Sequence, residues 1–261
     1  MSARPEKTRH AAAIILPPAA LILLALAVWT WVSAQGMIPN YLLPAPGKLA
    51  ATLVSERSVL LRHGLATTRE ALSGYVIGSV LGLLAAVLLT ASRTLRLCFF
   101  PLALATQAVP LIAITPLIVL VMGRGMPAIL TLVAITAFFP MLINMTRGLR
   151  AADRGYHELL HSLAANRLQR LLMIELPAAA PYFFAALRVA ATASFINAIV
   201  GEWIGSNLGL GYLVVLSGQY FRIPTLWAAV VVTATLTLML VGVVSLVERL
   251  ATPWAEAEGR A

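Results

Sequence analysis

Five runs of this chain, 11–34, 71–92, 97–123, 125–146 and 223–247, contain no Asp, Glu, Lys or Arg. Each is as long as the roughly 20 residues that an α-helix needs to cross a bilayer. A sixth span is expected over 183–204. Its Arg188 is costly at the bilayer centre, so a place near one end is expected, with the side chain snorkelling to the headgroups. Hydrophobic residues make up 60% of the 261 and charged residues 11%, which excludes an ordinary soluble domain. The expected fold is an all-α, polytopic membrane protein with about six transmembrane helices.

Six spans put both termini and the stretch around Glu158 on one side. That side holds Arg4, Lys7, Arg9, Arg93, Arg96, Arg147, Arg150, Arg154, Arg167, Arg170, Arg249 and Arg260; the other holds Lys48, Arg57, Arg62, Arg69, Arg124 and Arg222. The richer side is expected to be cytoplasmic. The formal charge of +9 is therefore a topology signal and an attraction to anionic lipid heads; its dispersal over short loops gives no nucleic-acid patch. Val32-Ser33-Ala34 offers a small-residue cleavage site, but the apolar run before it exceeds the about 7–15 residues of a secretory signal, so an uncleaved anchor is expected. The lone Cys98 excludes an intramolecular disulfide. There is no Gly-rich Lys-Ser/Thr loop to cradle ATP phosphates, and no cofactor is expected.

The charged interruption at 158–177, E-L-L-H-S-L-A-A-N-R-L-Q-R-L-L-M-I-E-L-P, reads as short amphipathic helices. Arg167 and Arg170 lie toward one side, and Leu159, Leu160, Leu163, Leu168, Leu171 and Leu172 toward the other, forming an apolar ridge that wants a partner. Within it, Glu158, Ala164, Asn166 and the closing Ile174-Glu175-Leu176-Pro177 resemble the cytoplasmic loop of bacterial ATP-binding-cassette importer permeases, whose pattern is Glu-Ala-Ala, a Gly, and apolar-x-Leu-Pro. Here Leu159 and Leu160 replace the alanines and Ala164 the glycine. Alanine at 164 argues against a positive φ there, which Asn166 could supply instead. The same residues spell His157-Glu158-Leu159-Leu160-His161, the helix signature of zinc proteases. That rival lacks a third ligand, since His10 and His63 are badly placed and Asp153 or Glu175 would have to serve.

The resemblance extends from about Tyr41 to Trp254. Tyr41-Leu42-Leu43-Pro44-Ala45-Pro46 is similar to the segment before the transport core in nitrate, sulfonate and taurine importers. The prolines 101, 110 and 116, the turn Met122-Gly123-Arg124-Gly125, Phe138-Phe139-Pro140 and Leu187-Arg188 follow the same family. So do Gly201-Glu202-Trp203-Ile204-Gly205 and Leu208-Gly209-Leu210-Gly211-Tyr212-Leu213, whose glycines permit a connection folded back on the helix ends. Glu202 reads either as an interfacial carboxylate facing water, the favoured sense, or as a gate residue. Gly74, Gly78 and Gly82 make a smooth helix face for close packing. Glu248-Arg249 and Trp254 read as an ordinary interfacial finish.

The resemblance implies a MetI-like type I importer permease in a bacterial inner membrane. Its expected partners are cytoplasmic ABC ATPases, an external solute-binding protein and a second permease copy, with a homodimer the simpler arrangement. It divides the chain into 1–62 (tail, anchor and external segment), 63–250 (permease core with loop 147–177) and 251–261 (tail). Glu158, Leu159, Leu160, Leu163, Ala164, Arg167, Leu176 and Pro177 become candidates for ATPase coupling. Gln107, Thr115, Asn144, Thr192, Ser194, Asn197 and Glu202 become candidates for the solute path. The solute is expected to be small and nitrate-, sulfonate- or taurine-like, or a related pyrimidine-type vitamin precursor. An ATP-independent secondary transporter is the remaining rival; it would usually show an inverted repeat, and none is visible.

Overall fold

Proline and glycine placement decides where the helices begin and break. The computed structural model describes residues 4–39 and 42–254, apart from the side chains of 4–15, 18, 19, 154 and 157, and every regular element among them is helical. Tyr41, the tail from 255, and the side chains of Arg4, Lys7, Arg9, Arg154 and His157 thus lie outside the description.

Helix α1 (Arg4–Ala34) is followed by α2 (Pro46–Ser55), which starts on a proline whose missing N–H is harmless in a first turn. Next come α3 (Arg57–Ala91), α4 (Arg93–Thr106), α5 (Leu111–Met122) and α6 (Met126–Gly148). Short helices α7 (Arg154–Ser162) and α8 (Arg167–Arg170) lead through a π-helical turn, Leu171–Glu175, into α9 (Leu176–Gly205). The chain closes with α10 (Leu210–Gln219) and α11 (Ile223–Ala251).

Among the described residues four helical stretches are long and apolar enough to span a membrane: Arg57–Ala91, Met126–Gly148, Arg167–Gly205 and Ile223–Ala251. The run 97–123 supplies a fifth only as the pair α4 and α5, which bend by 97°. The break falls before Pro110, which lacks an N–H and forces its predecessor out of the helical region, whereas Pro101 and Pro116 stay inside their helices. The apolar part of α1 that is described, Ala20–Ala34, is shorter than a span. Helix α3 is 35 residues, about 52 Å at 1.5 Å per residue, so the expected span 71–92 is only its second half. Its first turns project beyond an apolar layer of about 30 Å.

The core forms where α3 and α9 pack on α6. A Cβ on Gly78 would overlap the carbonyl of Ala134, one on Gly74 would lie 2.6 Å from Val133 Cβ, and one on Gly82 2.5 Å from the Phe138 carbonyl. The expected glycine face is therefore the contact at which α3 meets α6. Helix α9 contributes buried alanines 179, 186, 190, 191 and 198, which bring backbones close without large side chains. Arg188 forms an ion pair with Glu248 of α11. Glu248 is thus a tie between α9 and α11, a role its interfacial sequence context concealed, and pairing is what makes the arginine tolerable within a span.

Candidate functional site: an exposed elbow and a buried latch

The interruption between α6 and α9 folds as a tight elbow. Asp153 caps α7, its Oδ1 accepting from the Gly155 N–H at 2.8 Å. At the other end Ala165 N–H donates to Leu160 O (2.9 Å) and Ala164 N–H to His161 O (3.0 Å), the paired bonds of a Schellman stop, with Ala164 at φ 53°. The expectation at this turn is corrected: Ala164 itself takes the left-handed conformation. Asn166 sits at φ −75° and instead caps α8 in a reciprocal box, Gln169 N–H to Asn166 Oδ1 and Asn166 N–H to Gln169 Oε1, both 2.8 Å. A left-handed alanine costs about 1 kcal/mol relative to glycine. Ala164→Gly is therefore expected to raise the permanence of the elbow, read as slower amide exchange of Ala165 and a slightly higher melting temperature.

Leu159 and Leu163, 55% and 68% exposed, line up with Tyr156, 60% exposed, at the spacing of one helical face. Tyr156 was not singled out from sequence, although its place three residues before Leu159 puts it on the same stripe. Leu160, expected on that ridge, is only 8% exposed and so turns away from it. Leu176 likewise packs inward, against the cluster around Met141 and Ala179. Glu158 and Arg167 are exposed, and Pro177 lines a groove of about 700 Å³ with Asp153, Tyr156, Tyr182 and Trp254. Among the described residues no group of three His, Cys, Asp or Glu is placed to hold a metal.

At the opposite end of α9, Glu202 is fully buried, which overturns the water-facing reading. Its carboxylate accepts from Thr67 Oγ1 at 2.6 Å and from the Gly211 N–H at 2.5 Å, and also from the Tyr212 N–H. Thr67 Oγ1 in turn accepts from the Leu210 N–H (2.8 Å), and His63 Nδ1 lies 2.9 Å and 3.1 Å from the Gly209 carbonyl and N–H. The orphan N–H groups that begin α10 are thus met by side chains of α3 and α9, and the positive end of the helix faces a carboxylate. Glu70 lies beside the same carboxyl, and its buried Oε2 has no hydrogen-bond partner among the described residues. Gly209, at φ 119°, could carry no side chain, since a Cβ would overlap the Glu202 carboxyl. The signal for this latch was present in the sequence: His63, Thr67 and Glu70 recur on one face of α3, and glycines stand seven and nine residues after Glu202.

Residues 78–253 match the family model of the binding-protein-dependent transport system inner membrane component. The chain belongs to this family. Its members are permeases, the membrane component of ABC transporters. A probable ABC transporter permease protein of Haemophilus influenzae is 32% identical over 226 residues, covering 87% of this permease and 92% of that protein. The riboflavin transport system permease protein RibX of Chloroflexus aurantiacus is 32% identical over 239 residues (91% and 89%), and the formylaminopyrimidine transport permease protein ThiX of Halalkalibacterium halodurans 29% over 244 (93% and 97%). The fold is that of the MetNI methionine ABC transporter in an inward-facing conformation, with TM-score 0.65 at 18% identity over 75% of this permease and 97% of that chain. This membership sets aside the zinc protease and the secondary transporter.

The solute-path candidates are scattered in the permease. Thr115 is buried and donates to Leu111 O (3.0 Å); Asn144 donates to Pro140 O (2.8 Å), Asn197 to Ala193 O (2.9 Å) and Thr192 to Arg188 O (3.4 Å), each within its own helix. Ser194 is fully buried and its hydroxyl has no partner. Gln107 is exposed at the break between α4 and α5. Glu202 is sealed within the bundle, where it anchors the start of α10.

Proposed function

We propose that this permease is the translocation subunit of an ATP-driven importer of a small polar solute, coupled to a separate ATPase through the elbow at 158–177. The observation that carries this reading is the row Tyr156, Leu159 and Leu163, an apolar ridge held out from a membrane bundle by capped, short helices. The ridge enters a cleft on an ATPase subunit in the cytoplasm, with Glu158 and Arg167 at the polar rim. Both termini lie on that same cytoplasmic side of an inner membrane. A second copy completes the path, and an external binding protein delivers the solute. Nucleotide moves the equilibrium between inward- and outward-open forms only through its different affinity for the two. The π turn at 171–175, where Leu176 N–H bonds Leu171 O, joins the elbow to α9 and so to the α10 latch at its far end.

Relatives named for riboflavin, formylaminopyrimidine, aliphatic sulfonate and taurine transport support a small organic solute. The uncharged amides and hydroxyls of Gln107, Asn144, Thr192 and Asn197 suit a ligand recognised chiefly by the external binding protein. Calorimetry of that protein with each solute class assigns the cargo.

The double change Leu159→Asp and Leu163→Asp tests the docking. Two leucines buried at an interface contribute about 1.5–3 kcal/mol each, so ATPase association should weaken by roughly 100-fold or more and uptake should stop, with the melting temperature of the permease unchanged. If the doubly changed permease still co-purifies with its ATPase and transports at the normal rate, the coupling role is wrong.

A further inference from the structure

On the elbow side of the bundle, α4 and the end of α6 diverge around a groove of about 340 Å³ lined by Arg96, Leu97, Phe100, Pro101, Arg147 and Arg150. Among the described residues, three arginines and no carboxylate border it. The ion pairs Arg188–Glu248 and Arg222–Glu56, found among the described residues, lie elsewhere and draw on none of these arginines. The other wall is apolar. Helix α4 buries no residue in the bundle, and Leu97, Phe99 and Leu102 along it are exposed. The groove therefore joins a strongly cationic mouth to a hydrocarbon wall within one helix turn.

We propose that this groove is a binding site for an anionic phospholipid of the leaflet on the elbow side, its phosphate held by Arg96, Arg147 and Arg150 and its chains lying along Leu97 and Phe100. Guanidinium forks match phosphate oxygens in bidentate geometry. The volume suits a headgroup and the first chain carbons, and the wall of α4 explains why a lipid fits better than a free phosphate, which would leave that wall uncovered. Arg147 stands in the last turn of α6, where a cation favours the carbonyl end of the helix dipole, Arg150 follows just beyond it, and the lipid phosphate then completes their charge. The site joins α4 to the end of α6, from which the chain enters the elbow, and it stands independently of the proposed solute and ATPase.

The test uses the full-length permease in nanodiscs of phosphatidylcholine with or without phosphatidylglycerol, and native mass spectrometry of retained lipid. The wild type should retain phosphatidylglycerol preferentially. The variant R96Q/R147Q should lose that preference by about tenfold or more, while R167Q/R170Q, which removes the same charge from the elbow, should keep it. Melting in phosphatidylcholine alone should be the same for all three. Should R96Q/R147Q fold poorly, R150Q at an exposed position should still reduce the preference by roughly threefold or more. Equal losses in R96Q/R147Q and R167Q/R170Q would mean only general surface attraction and overturn the site. Displacement of the lipid by millimolar glycerol 3-phosphate would overturn it in favour of a soluble phosphate, and displacement on adding the ATPase in favour of an acidic protein surface.

Discussion

Glu202→Leu is expected to free α10 from the bundle and abolish transport. The substitution removes the acceptor for the Thr67 hydroxyl and the Gly211 and Tyr212 N–H groups, all of them shut away from water. A buried donor left unsatisfied costs about 1–3 kcal/mol, so the loss should reach roughly 3–6 kcal/mol, a large part of what holds a marginally stable fold. Glu202→Gln is the informative companion. Its carbonyl can still accept from Thr67, but its amide then confronts N–H donors, and a loss of about 1.5–3 kcal/mol follows. Thermal unfolding and protease cleavage within 206–222 would report both. Equal behaviour of the Leu variant and the wild type would show that the latch contributes nothing. Thr67→Val should resemble Glu202→Gln, because it removes the donor to Glu202 and the acceptor for Leu210 N–H together. Double changes at 67 and 202 should then cost less than the sum of the single ones, the mark of groups that act as a unit.

Gly78→Val is expected to prevent assembly of the core altogether. A Cβ at 78 already overlaps backbone of α6 at Ala134, and backbone cannot swing aside as a flexible side chain does. Relief requires α3 and α6 to separate along the Gly74–Gly82 face, forfeiting the contacts of Val133, Ala137 and Met141, which are fully buried. Overpacking of this kind costs 1–3 kcal/mol where side chains can adjust, and here about 4 kcal/mol or more, at the severe end of single substitutions. The expected result is near-complete loss of folded protein in detergent. Gly242→Val in α11, where a Cβ meets nothing within 4 Å, is the matched control and should leave the yield unchanged. Comparable yields for the two valine variants would contradict the close α3–α6 approach.

The two sets of residues differ in how far the sequence exposed them. Four spans were legible because absence of charge over about 20 residues is a one-dimensional property that needs no partner; that the run 97–123 bends by 97° between two helices was not. The elbow was legible in outline for the same reason, since amphipathic spacing acts over a few residues; the caps at Asp153 and Asn166 emerged only with the structure. Which leucine of the ridge faces outward was not legible, because Leu159 and Leu160 look alike until the folded chain buries one of them. Ala164 shows the converse: its side chain argued against a left-handed turn, yet the carbonyls closing α7 required one, and the surrounding bonds outweigh about 1 kcal/mol of strain.

By itself, the sequence determined that this chain lives in lipid as a helical permease, where its glycines allow helices to touch, and that one charged elbow stands apart. Only the tertiary structure decided that Glu202 is sealed inside, that Glu248 answers Arg188, and that His63, Thr67 and Glu70 converge on the start of α10. The physical reason is range: hydropathy and capping act between neighbours in the chain, whereas the partners that satisfy ionisable groups inside the bundle come in part from far along it, Glu248 from 60 residues beyond Arg188 and Thr67 from 135 before Glu202.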